Sequence, residues 1–148
     1  MKTSELLKIT TPVSPRLSQT LVETYINEFV NKNSFYFKNV FSITPSGSFL
    51  WDCLNDSADI ISLEKVRNMN ISSGKVFIVW QELLSSIYFS VNEESLYLCE
   101  SLLTIVNNLK LFPQDIYIFD ESMKWSLIQS HFAFNDQGHN WKFVESRS

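Results

Sequence analysis

Apolar residues recur at helical spacing early in this chain and crowd into short, nearly continuous runs in its second half. Leu17, Leu21, Val22, Tyr25, Ile26, Phe29 and Val30 form the first pattern, with Gln19, Glu23, Asn27 and Asn31 on the other side. Positions three and four apart line one stripe of an α-helix. Ser14 and Pro15 supply its start, because a serine oxygen can accept from an orphan N–H of the first turn and a first-turn proline forfeits no hydrogen bond.

Ser34 to Ile43 is rich in aromatic and β-branched residues and predicts an extended segment before the turn Thr44-Pro-Ser-Gly47. Ser48 is expected to cap a short helix over Phe49–Leu54 that buries Phe49, Leu50, Cys53 and Leu54, with Trp51 and Asp52 pointing elsewhere. Leu63, Val66 and Met69 predict a second short helix after Ser62. Lys75 to Trp80 is the plainest strand, apolar on both faces and so suited to the middle of a sheet.

Ile87 to Val91 then reads as a strand making a hairpin with the previous one. Asn92 is expected to cap a helix reaching Asn108, with Glu93 and Glu94 in its first turn and Leu96, Cys99, Leu102, Leu103 and Val106 inward. Ile116–Phe119, an acidic turn over Asp120 to Lys124, and Trp125 to about Phe132 predict a closing hairpin. The fold class that follows is α+β, a mainly antiparallel sheet of about four to five strands with helices packed on one face. The whole chain, 1–148, is expected to be one globular domain, with 1–13 a flexible lead and 133–148 a peripheral tail. Phe134, Trp141, Phe143 and Val144 would add a last strand or lie over the sheet.

Composition narrows the functions. With 148 residues, 45% of them hydrophobic and 12 of them Phe, the chain can bury a core of its own. A net charge of −4 argues against a sequence-independent grip on nucleic acid and favours a basic protein partner. Met1 to Thr11 lacks the apolar stretch of a signal peptide, and no run approaches the roughly 20 apolar residues that span a bilayer. A cytoplasmic protein without membrane attachment is the expectation. Cys53 and Cys99 show neither CxxC spacing nor a neighbouring histidine and are read as buried, reduced core residues.

Gly47, Gly74 and Gly138 are the only glycines, and none opens a helix in a phosphate-binding loop, so nucleotide enzymes of the Walker and dinucleotide types are excluded. No cofactor is expected. His131 and His139, with Asp136 between them, match no standard metal spacing, so no metal site is expected either. A hydrolase would take His131 as base, Ser130 or Ser126 as nucleophile, and Asp120 or Asp136 as the orienting carboxylate. Neighbouring strand residues point to opposite faces, which argues against a Ser130–His131 pair. Trp80 and Trp125 belong to strands and read as core or rim, whereas Trp51 and Trp141 fall in weaker patterns and are read as exposed anchors.

Taken together, Phe49-Leu-Trp-Asp52, Val76-Phe-Ile-Val-Trp80, Ile87-Tyr-Phe89, a helix, Asp115-Ile-Tyr-Ile-Phe-Asp120, Trp125 and His131 resemble an uncharacterised family of small bacterial proteins. That family is similar to the immunity proteins of polymorphic and contact-dependent toxin systems. The resemblance covers about residues 48 to 132 and departs from the family pattern at Phe132, where a histidine or acidic residue commonly follows the strand-end histidine. It implies a non-catalytic protein that binds a cognate toxin domain, such as a basic nuclease, in the cytoplasm. Asp120, Glu121, Lys124, Asp136 and Trp141 are the expected partner contacts, chosen because turn and tail positions are the ones most often exposed. A small hydrolase using His131 and a non-catalytic oligomeric adaptor are the alternatives, and the oligomeric state is not fixed by the sequence.

Overall fold

Side chains that alternate between two covered faces along the central strands organise the fold. In the computed structural model, which describes residues 3–34, 37, 49–55, 57–71, 74–89 and 93–147, seven strands form one antiparallel sheet. They are β1 (Thr10–Pro12), β2 (Asp59–Ile61), β3 (Val76–Trp80), β4 (Tyr97–Cys99), β5 (Ile116–Phe119), β6 (Trp125–Gln129) and β7 (Trp141–Glu145), in the order β1-β4-β3-β5-β6-β7-β2. The described helices are α1 (Thr3–Ile9), α2 (Pro15–Phe29), α3 (Leu63–Arg67), α4 (Gln81–Phe89) and α5 (Leu102–Val106).

The sheet is covered on both faces. Val79, Tyr117, Phe119, Ile128 and Val144 point to one side, where Val22, Tyr25, Ile26 and Phe29 of α2 and Leu84 and Ile87 of α4 pack on them. Val76, Ile78, Ile116, Ile118, Leu127 and Trp141 point to the other, against Leu6 of α1, Val66 of α3 and Leu102, Ile105 and Val106 of α5. All four residues of β5 are buried, as a strand with apolar groups on both faces requires. Helices on one face only would have left half of these side chains in water, and the expected arrangement is corrected accordingly, as is the strand number.

Local chemistry explains the elements. Ser14 accepts from Leu17 N–H at 3.2 Å and starts α2, as the sequence predicts. Within that helix Leu17 is exposed, and Ser18 takes the inward place: its hydroxyl donates to Val13 C=O and accepts from Leu96 N–H. Ser62 caps α3 and Ser101 caps α5 in the same way, through the N–H groups of Lys65 and Thr104. The expected extended segment at 34–43, the turn at 44–47 and the Ser48 cap fall largely or wholly outside the described residues; Leu50–Asp52 is one 3₁₀ turn.

Two further readings are corrected. Ile87 to Phe89 is the end of α4 and not a strand, and β3 lies between β4 and β5. Helical spacing in fact places Leu84 and Ile87 together on α2, so packing overrides the strand preference of Ile and Tyr. Cys99, expected in a long helix, belongs to β4; Glu93 and Glu94 precede that strand instead of opening a helix. The lead and tail are also structural: β1 pairs with β4, and β7 lies between β6 and β2.

Candidate functional site

The β5–β6 hairpin sets two ends of the sheet. Ile116 pairs with Gln129 and Phe119 with Ser126, so Asp115 and His131, just outside the pairing, meet at one end, and the acidic turn lies at the other.

Asp115 is the centre of the first end. Its backbone is left-handed, with φ 64°, a conformation aspartate tolerates better than most residues, and its C=O accepts from Gln81 N–H at the start of α4. The nearly buried carboxylate gathers three donors. Oδ1 accepts from Trp51 Nε1–H at 3.2 Å, from His131 backbone N–H at 3.0 Å and from His131 Nδ1 at 2.9 Å, while Oδ2 lies 3.1 Å from the same Nδ1. A carboxylate only accepts, so the neutral imidazole carries its proton on Nδ1. The His131 side chain is 38% exposed.

An aromatic cluster surrounds this pair. Phe49 stacks on Trp51 with centroids 5.0 Å apart and planes 4° apart, Phe132 and Phe134 meet Trp51 edge-on at 5.0 and 5.3 Å, and His131 lies 5.2 Å from Phe49. Trp51 is its buried hub at 4% exposure, and Phe132 its outer member at 47%. The floor is fixed from below. Trp51 N–H donates to Tyr117 Oη, whose own proton goes to Gln81 Oε1, and the same oxygen takes Leu50 N–H. Lys142 Nζ donates to Trp51 C=O at 3.4 Å and sits 4.3 Å above the Phe134 ring, with burial lowering its pKa. The loop carrying Phe132 is tied by Ser130 N–H to Asn140 C=O, by the Asn140 amide to Ser130 C=O, and by Phe134 N–H to His139 C=O.

The opposite end is the Asp120–Lys124 turn. Asp120 accepts from Ser122 N–H and Oγ and from Trp125 Nε1–H, and Met123 is left-handed with φ 54°. These bonds account structurally for the Asp120 carboxylate, whereas Glu121 and Lys124 are exposed beside a depression of about 630 Å³ that also involves Lys75, Phe77, Leu98 and Trp125.

The expected contact residues are therefore divided. Asp120, Glu121 and Lys124 share the turn, Asp136 is exposed in the loop at the far end, and Trp141 is 1% exposed within β7. Trp141 thus lacks the exposure for which it was chosen, because β7 is internal to the sheet. Trp51, expected to be exposed, is corrected in the same sense. The hydrolytic set is not brought together as expected: Ser130 Oγ donates to Phe132 C=O, Ser126 Oγ donates to Ile118 C=O, and Asp115 takes the orienting place given to Asp120 or Asp136. Asp115 is the site residue that the sequence reading does not single out. Its hairpin position, directly before the strand opposite Gln129, was the signal that could have paired it with His131.

Among the described residues no group of three or more His, Cys, Asp or Glu side chains is placed to hold a metal ion, and no helix is long and apolar enough to cross a membrane. Cys53 and Cys99 are buried free thiols in separate clusters, and burial pushes the Cys53 thiol up to about 12. No family model matches the chain, nor does any curated protein or solved structure.

Proposed function

We propose that this protein is an immunity protein that binds a cognate bacterial toxin domain in the cytoplasm through the sheet end at His131 and Phe132. The observation that carries the reading is the aromatic cap: an exposed phenylalanine and a half-exposed histidine mounted on a buried, hydrogen-bonded tryptophan. Rigid aromatic anchors surrounded by polar groups are the usual energetic centre of a protein interface. The acidic balance of the chain suits a basic partner such as a nuclease domain. Inhibition needs an interface of roughly 1,200–2,000 Å², so the cap would be the middle of a wider contact that takes in Asp136 and neighbouring turns.

The test is co-expression with a toxin domain encoded beside the gene. The wild-type chain is expected to co-purify with the toxin and restore growth, and Phe132→Asp to lose both while remaining folded; failure of the wild-type chain to bind or protect overturns the reading. A second reading keeps one specific observation. Asp115 engages Nδ1 of His131, whose side chain is 38% exposed, and a carboxylate on one ring nitrogen is how a general base is held. A hydrolase built on this pair would lose turnover on His131→Ala with its fold intact, while a binder would lose only part of its affinity.

A further inference from the structure

Trp80 closes β3 two residues beyond Ile78, which pairs with Tyr97 of β4, so the two rings share a sheet face and stack, with centroids 5.5 Å apart and planes 14° apart. Both line a cavity of about 540 Å³ beside Pro12 of β1, a size within the range of small-molecule sites. Three carboxylate residues line it as well: Glu82 from the first turn of α4, and Glu93 and Glu94 from the segment that leads into β4. The lining holds no Lys, Arg or His, and among the described residues none of the three glutamates belongs to an ion pair.

We infer that this cavity binds a linear organic polycation of the polyamine class. Among the described residues no three His, Cys, Asp or Glu groups are placed to hold a metal ion, so the glutamates border the space instead of converging on one point. That arrangement suits ammonium groups spaced along a chain. Three carboxylates also call for more than the single charge of one basic side chain. The stacked rings supply the rest of the match, because aromatic faces attract ammonium groups and the methylenes between those groups cover apolar surface. Polyamine binding here and toxin binding at the Phe132 cap are separate, so either can fail without the other.

The full chain is titrated with spermidine, with octane-1,8-diol, which keeps an alkyl chain and lacks charge, and with magnesium chloride, which keeps charge and lacks a chain. Amide and indole signals are followed by two-dimensional NMR. Spermidine is expected to move the Trp80 indole N–H and the signals of Glu82 and residues 93–97, and the diol and magnesium to leave them in place. Glu82→Gln with Glu94→Gln should weaken spermidine roughly three- to ten-fold, the scale of two partly solvated ion pairs. Glu23→Gln with Glu64→Gln removes the same charge from exposed helix positions away from the cavity and should leave the affinity unchanged. No shifts, shifts scattered over the surface, magnesium or the diol acting as well as spermidine, or equal weakening by the two pairs of substitutions would each overturn the inference.

Discussion

Replacing Asp115 should expose how the site is held. Asp115→Ala removes the acceptor of Trp51 Nε1–H and of the His131 backbone N–H, and Trp51 is 4% exposed, so its donor is stranded. A stranded buried donor costs about 1–3 kcal/mol. Alanine must also hold φ 64°, a left-handed conformation costing a non-glycine residue about 1–2 kcal/mol, where aspartate is among the better tolerated. Loss of a poorly solvated carboxylate returns part of this. The net expectation is about 2–4 kcal/mol, or roughly 5–15 °C in melting temperature for a domain of this size. Glycine relieves the backbone and should be about 1 kcal/mol better than alanine. Asparagine tolerates the backbone and keeps an oxygen for Trp51 and the His131 N–H, so it should cost only about 1 kcal/mol. Urea unfolding followed by tryptophan fluorescence, with midpoints compared at constant m, checks the order wild type, asparagine, glycine, alanine. An alanine variant as stable as wild type, or more stable than the glycine variant, would refute the reasoning.

Three further outcomes are expected. Trp51→Phe should cost about 2 kcal/mol more than Trp141→Phe in the same unfolding assay: Trp51 loses a bond to a carboxylate, whereas Trp141 Nε1, buried with no partner among the described residues, sheds an unsatisfied donor. Equal losses would contradict this. Tyr25 and Ser126 should couple, because Ser126 Oγ donates to Ile118 C=O and accepts the Tyr25 hydroxyl at 2.7 Å; Tyr25→Phe should cost about 1 kcal/mol, and the double variant with Ser126→Ala less than the sum of the singles. A strictly additive pair would remove the coupling. Stability should fall as the pH rises above 9.0, the ordinary value for Cys53, toward about 12, its folded value, because the unfolded chain releases a proton that the folded thiol keeps. Below 9.0 both states hold the proton and the contribution is constant. Burial raises Cys99, Tyr25 and Tyr117 in the same sense, while Lys142, lowered by burial, acts oppositely as one group against four. Cys53→Ala should flatten the onset near pH 9 in urea midpoints measured across pH, and an unchanged curve would show that Cys53 does not supply it.

Elements with strong local signals were legible. Ser14-Pro15 and the stripe behind it marked α2, and the runs rich in apolar residues marked β3, β5 and β6 as strands. The edge strands β1 and β2 have three residues each, too few for a period of two to register. The stretch from Leu96 to Val106 misled because Leu96, Cys99 and Leu102 are three apart by coincidence; β4 ends at Cys99, and Ser101 starts a new helix. At the site, His131 was visible as a polar group at a strand end, but its partners come from the far side of the hairpin and from a 3₁₀ turn more than sixty residues earlier in the chain. Trp51 looked exposed because one 3₁₀ turn has no amphipathic pattern of its own; only contact with Tyr117 and Gln81 decides which way it faces.

Stability and recognition are joined at Asp115, and this gives a way to separate them. The carboxylate fixes Trp51 and His131 together, and these two form the floor and one wall against which Phe132 packs. A floor fixed before binding spares a complex the cost of ordering it, which is how a small patch can carry much of an affinity. Asp115→Asn should therefore weaken a partner mainly through looser positioning of His131 and Trp51. Phe132→Ala removes an exposed contact and should leave the fold within about 0.5 kcal/mol of wild type, as surface substitutions usually do. If Phe132→Ala lowers binding and Asp115→Asn does not, the ring alone is the anchor and the carboxylate serves the fold. If both lower it, the rigid mounting is part of the recognition surface.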